Sequence, residues 1–216
     1  MKARAVTLAE IEDSFQTGDL LFARGNYPSS KVIEVLEGSP WSHVCMVVRA
    51  SDVGLPAEAP PLLIWEANDL TNLPDWSSGK PEPATPGPLL VDLVQRLQTD
   101  VKSASDVGFS IRQLHVERTP EMLQQLAALF PSMQGWKFPP TWQLVWNEFL
   151  GRILHKASPP GTIFCSELVA RSYMTMGVMS RSLPDNAYEP RDYTKDKLVP
   201  LLERAFLGPL TLLNLK

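Results

Sequence analysis

The chain has 216 residues, 44% of them apolar and 20% charged, enough for one sizeable buried core. A formal net charge of −4 argues against non-specific nucleic-acid binding, which needs a basic surface. No stretch approaches the roughly 20 apolar residues of a membrane span, and the first ten residues lack the apolar core of a secretory signal.

Two unclustered cysteines and no signal segment predict a cytoplasmic protein with both thiols free. Twenty prolines against twelve glycines predict long, stiffened connections. No internal repeat is visible, so residues 1–216 are expected to form one domain.

Thr7, with Glu10 three residues on, has capping-box spacing and predicts a short helix over 7–16. Gly18-Asp19 then reads as a turn into a strand over 20–23. Residues 29–36 have the spacing of a short helix, with Val32, Ile33 and Leu36 on one side and Gly38 ending it. Residues 41–48, Trp-Ser-His-Val-Cys-Met-Val-Val, are β-branched and apolar on both faces. That is the pattern of a central strand covered on each side. With period 2, His43, Cys45 and Val47 share one face.

Leu62 to Asn68 form the next strand, antiparallel to the first across a proline-containing loop, which brings Glu66 near His43. Residues 73–88, with Pro74, Pro81, Pro83, Pro86 and Pro88, read as a surface excursion. Residues 89–97 read as a helix, and 109–116 alternate as a third strand. Thr119 as N-cap and Pro120 as the first helical residue open a helix running to about Phe130.

Residues 136–160 are an aromatic insertion. Within them Trp142, Trp146, Phe149 and Ile153 form one helical stripe, which either packs on the core or covers a groove as a lid. The tail from Leu198 to Leu213 is apolar and interrupted by Pro200 and Pro209.

The stretch around which the rest is organised is residues 161–170, Gly-Thr-Ile-Phe-Cys-Ser-Glu-Leu-Val-Ala. It reads as a turn running into a helix, whose buried stripe is Leu168, Val169, Tyr173 and Met176, with Gly177 as its stop. Cys165 lies on that inward stripe, in the first turn. Glu167 and Arg171 form an i, i+4 pair assigned to the outer face. A thiol at a helix N-terminus meets the positive end of the dipole and unpaired N–H groups. Both favour the thiolate, and the N–H groups can hold an oxyanion.

His43 and Glu66 on buried strands both demand polar partners. Together with Cys165 they match the logic of a thiol hydrolase: Cys165 attacks, His43 takes and returns the proton, and Glu66 orients the imidazole. Cys45, inside an apolar run, is packing, and His115 and His155 are structural or surface residues. No His/Cys cluster has zinc-ligand spacing, no Gly-rich phosphate loop is present, and neither a metal nor a cofactor is expected.

Gly18-Asp19-Leu20-Leu21-Phe22, Trp41-Ser42-His43-Val44, Trp65-Glu66-Ala67 and Phe164-Cys165-Ser166-Glu167-Leu168-Val169 occur in that order. The set resembles the circularly permuted NlpC-type papain-like superfamily, above all its YiiX-like branch with poxviral relatives, over roughly residues 16 to 193. In ordinary papain-like enzymes the cysteine helix precedes the histidine strand; here it follows.

The resemblance implies an α+β, papain-like fold: a small antiparallel sheet with the nucleophile helix on one face. It implies Cys165, His43 and Glu66 as the catalytic positions, and an amidase or peptidase acting through an acyl-enzyme. Asp19 would shape the turn at the groove edge, and Asp19, Ser42 and Trp146 are the substrate-side candidates. The implied substrate is a peptide, a peptidoglycan fragment or a lipid-like small molecule, and peripheral membrane contact stays open. A non-catalytic peptide- or lipid-binding module and a thiol acyltransferase remain the alternatives.

Overall fold

The structure is a computed structural model that describes residues 5–24, 40–103, 107–140, 151–196, 198–202 and 204–215. Its frame is a seven-stranded sheet in the order β1-β9-β6-β2-β3-β4-β5. The strands are β1 (Ala5–Thr7), β2 (Leu20–Arg24), β3 (His43–Arg49), β4 (Leu62–Asn68), β5 (Gly87–Asp92), β6 (Gly108–Arg112) and β9 (Thr211–Asn214). β7 (Leu114–His115) and β8 (Phe206–Leu207) pair separately. The fold is mixed α+β. The sheet is larger than expected, and antiparallel except where β1 pairs parallel with β9.

Helices among the described residues include α1 (Leu8–Ile11), α2 (Leu93–Ser103), α3 (Pro120–Ser132) and α4 (Cys165–Thr175). Period-2 alternation along β3 and β4 separates two cores. Val44, Met46, Val48 and Trp65 face α4 and α3, where Leu168, Val169, Tyr173, Leu126 and Phe130 meet them. Trp65 packs on Phe130 with ring centroids 4.8 Å apart and donates its indole N–H to Ser172 Oγ at 3.2 Å. On the other face Cys45, Val47, Ile64 and Val91 meet Leu93 and Leu97 of α2. Each large apolar side chain buried this way contributes about 1.5–3 kcal/mol.

Several expectations need correcting. Residues 89–97 are not one helix: Gly87–Asp92 form an outer strand of the sheet, and the helix starts at Leu93. A continuous apolar run fits a strand buried on both faces as well as a helix, and here pairing with β4 decides. The N-terminal helix is shorter than 7–16: α1 runs into a 3-10 turn over Glu12–Ser14. Its capping box is present, with Thr7 N–H donating to Glu10 at 2.7 Å.

Glu167 is not on an outer face but wholly buried, because the 3-10 turn Asp185–Ala187 packs over α4 there. The helix expected over 29–36 and residues 141–150 of the aromatic insertion, Trp142, Trp146 and Phe149 included, lie outside the described residues; residues 151–154 are helical.

The tail carries strands that no local pattern marked. Arg112, 2% exposed, holds it by donating to the carbonyls of Tyr193, Leu207 and Gly208 and to Asp196 at 2.6 Å. Among the described residues no helix is long and apolar enough to cross a membrane.

Candidate active site

The site lies where β3 and β4 begin to part. Their pairing runs from Arg49↔Leu62 to Met46↔Trp65, and His43 stands three residues further along β3. On the opposite side β2 still pairs with β3 as far as Ala23↔His43, so the backbone of His43 is held while its ring is free to reach sideways. The His43 side chain is 24% exposed. Its Nε2 is 3.0 Å from Glu66 Oε2, which leaves Nδ1 for the sulfur of Cys165.

α4 brings Cys165 to the same place. Phe164 is its N-cap in extended conformation (φ −112°, ψ 172°), and the first helical bond runs from Leu168 N–H to Phe164 O at 2.9 Å. The N–H groups of the first turn therefore have no helical acceptor. That of Ser166, together with Val44 N–H from β3, donates to the Cys165 sulfur.

Burial alone would push the Cys165 thiol up. The hydrogen bond and charge of His43, then the Val44 and Ser166 N–H groups, outweigh it and bring the thiol below its ordinary value. Burial alone would likewise pull His43 down. The hydrogen bond and charge of Cys165, followed by those of Glu66, instead raise it to about 10. The two shifts have one cause: the charged form of each group favours the charged form of the other.

Glu66, 1% exposed, is penalised by burial. It is nonetheless held below its ordinary value by the His43 hydrogen bond, by the Arg96 and His43 charges, and by Asn68. Asn68 Nδ2 donates to Oε2 at 3.0 Å, and Arg96 Nε donates to Oε1 at 2.7 Å. Neither Arg96 nor Asn68 was singled out in the sequence. A signal existed for Arg96, which falls i+3 from Leu93 and beside Leu97, on the apolar stripe of its helix.

The other candidates are placed differently. Ser42 is 5% exposed, next to His43, with its N–H donating to Ala23 O at 3.2 Å. Asp19 is not brought to the site. It sits beside Val47, four residues along β3 from His43, about 13 Å at the usual rise per residue. Both of its oxygens are occupied there: Oδ2 accepts from Gln16 N at 2.9 Å, and Oδ1 from Leu114 N at 2.8 Å and Arg118 at 3.2 Å. Burial, partly offset by those donors, raises its carboxyl.

Cys45 is 2% exposed with its thiol pointing at Leu21 O at 3.5 Å, and burial pushes it well above the ordinary value. His115 stacks on Phe206 with centroids 4.4 Å apart. Among the described residues no three His, Cys, Asp or Glu side chains are grouped so as to hold a metal ion.

No protein-family model matches the chain, and no curated protein does. Among solved structures it is similar to the metalloprotein YiiX from Escherichia coli O157:H7, with 17% sequence identity and a TM-score of 0.49. The match covers 93% of this chain and 97% of that one.

Proposed function

We propose that the protein is a cysteine hydrolase that cleaves an amide or acyl bond through an acyl-enzyme on Cys165. One observation carries the reading. A thiol in the first turn of a helix meets an imidazole whose other nitrogen is 3.0 Å from a buried carboxylate. Nucleophile, base and orienting group then stand in sequence, the arrangement that acyl transfer needs.

The thiolate of Cys165 attacks the substrate carbonyl carbon. A C–S bond forms and the π electrons move to oxygen, where first-turn N–H groups of α4 are the donors for the oxyanion. Collapse breaks the bond to the leaving group, which takes the His43 proton. Water then attacks the thioester, giving a proton to His43, and the acid departs as the thiolate is restored. Glu66 stays ionised throughout and holds the ring.

Iodoacetamide labelling near neutral pH with peptide mapping tests the assignment. Cys165 is expected to be alkylated far ahead of Cys45, and the rate at Cys165 is expected to fall in His43→Ala. Equal or reversed labelling overturns it.

A further inference from the structure

Behind Glu66 lies a group that touches no reacting atom, yet is built as tightly as those that do. Arg96 is 2% exposed on the helix stripe that Leu93 and Leu97 share. A guanidinium there is costly unless its donors are met. They are met in a fan: Nε on Glu66 Oε1 at 2.7 Å, Nη1 on Asn72 Oδ1 at 2.9 Å and Nη2 on Leu70 O at 3.2 Å. The last two acceptors belong to the segment just after β4. One side chain thus ties α2, Glu66 and the outlet of β4 together. An apolar residue would fill the same stripe, as Leu93 and Leu97 do, without holding the second oxygen of Glu66.

We propose that Arg96 is a positioning residue for the Cys165–His43 pair, acting through Glu66. The inference rests on the proposed function and extends it by one residue. Glu66 can present Oε2 to His43 with full charge only if Oε1 is satisfied elsewhere, and Arg96 is the donor that does this. Arg96 also repels the imidazolium directly, but from the far side of the carboxylate. The two influences have opposite signs on His43, so the sign of the effect identifies the route.

The groups around Arg96 are few. Glu66 faces it from β4, and His43 and Cys45 lie beyond on β3, with Cys165 of α4 behind His43. Asp100 is one turn further along α2. Burial and the Glu66 charge push the Asp100 carboxyl up to about 6, against Arg96 and His43.

The experiment is the pH profile of Cys165 alkylation by iodoacetamide, whose acid limb reports thiolate formation. In the unaltered protein the midpoint is expected well below that of an ordinary thiol. Arg96→Gln is expected to raise it by about one unit, because Glu66 loses its second partner and holds His43 less firmly. Arg96→Lys, which keeps charge but not the fork, is expected to raise it less. Asn72→Ala, at an exposed position, frees one arm of Arg96 and is expected to move the limb slightly in the same direction. It carries the test even if Arg96→Gln does not fold.

In an Asp100→Asn background the Arg96→Gln shift is expected to persist. Its disappearance would assign the effect to Asp100 and overturn the proposal. An unmoved limb, or one moved to lower pH, overturns it too while leaving the hydrolase reading intact. An unaltered protein whose Cys165 titrates as an ordinary thiol takes both down.

Discussion

Strand β3 has a buried carboxylate near each end, Asp19 beside Val47 and Glu66 near His43, both 1% exposed. Each accepts three hydrogen bonds, one of them from a buried or nearly buried arginine. Exposure and the number of donors are therefore alike, and chemistry is decided by which donors they are. At Asp19 they are the backbone N–H groups of Gln16 and Leu114, whose protons do not transfer; the carboxylate closes a turn and fastens β7. At Glu66 one donor is an imidazole that titrates and in turn faces a thiol. A buried acid becomes part of a proton-transfer site through the neighbour that can release a proton, not through its own depth.

The largest expected effect breaks one side of that contrast only. Cys165→Ala and His43→Ala are each expected to lower turnover of an activated ester such as para-nitrophenyl acetate by about 10⁴-fold or more, and the double variant to be little worse. Melting curves should show the fold kept.

The converse is Asp19→Ala. Leaving Arg118 and two amides without their acceptor is expected to cost about 3–5 kcal/mol in urea unfolding, since one partner of a buried pair is removed. The acid limb of Cys165 alkylation should stay in place. A shift there would mean that the two ends of β3 are coupled.

Glu66→Gln sharpens the contrast at intermediate size. Shape is kept and one charge-assisted hydrogen bond weakened, a loss of about 1.5–3 kcal/mol, or roughly 10- to 100-fold in ester turnover. A loss as deep as that of Cys165→Ala with the fold intact would require another role for Glu66.

The last contrast is read as a slope with pH and concerns a third buried acid, Glu167. Its nearest cation, Arg171, is 3.7 Å away and bonds instead to Asp185 at 2.6 Å. Burial, and then the Asp185 charge, push the Glu167 carboxyl from an ordinary 4.5 up to about 8, against the Arg171 charge and donors from Ser158 and the Phe164 backbone. Between those values the folded protein holds a proton that the unfolded chain releases, so stability falls as pH rises through the window. Glu167→Gln should remove that slope. Urea unfolding at about pH 5 and pH 8 is expected to show the variant gaining on the parent at the higher pH.

Much of this site was legible. His43 and Glu66 stand on consecutive strands that pair antiparallel across one proline-containing loop, and Cys165 opens a helix with a plain apolar stripe and a glycine stop. What stayed hidden depends on distant packing. Glu167 and Arg171 have the spacing of a solvated pair, and only the turn at Asp185, far along the chain, covers them. Leu89 to Leu97 satisfies helical spacing until β4 claims its first half. Arg96 was obscured by that same misreading, because the stripe it belongs to begins only at Leu93. β1 and β9 find each other across nearly the whole chain, a pairing without local signal.

The place of the site along the chain has a consequence for how the protein assembles. His43 and Glu66 are 23 residues apart in one antiparallel pair of strands, whereas Cys165 is roughly 120 residues from His43. Closing the longer loop costs about 1.5 kcal/mol more by the usual logarithmic scaling, and contacts of low separation form first. His43 and Glu66 are therefore expected to come together before Cys165 reaches them. During refolding the thiol is expected to stay ordinary until α4 docks, and the onset of fast alkylation at Cys165 would then time the last step of closure.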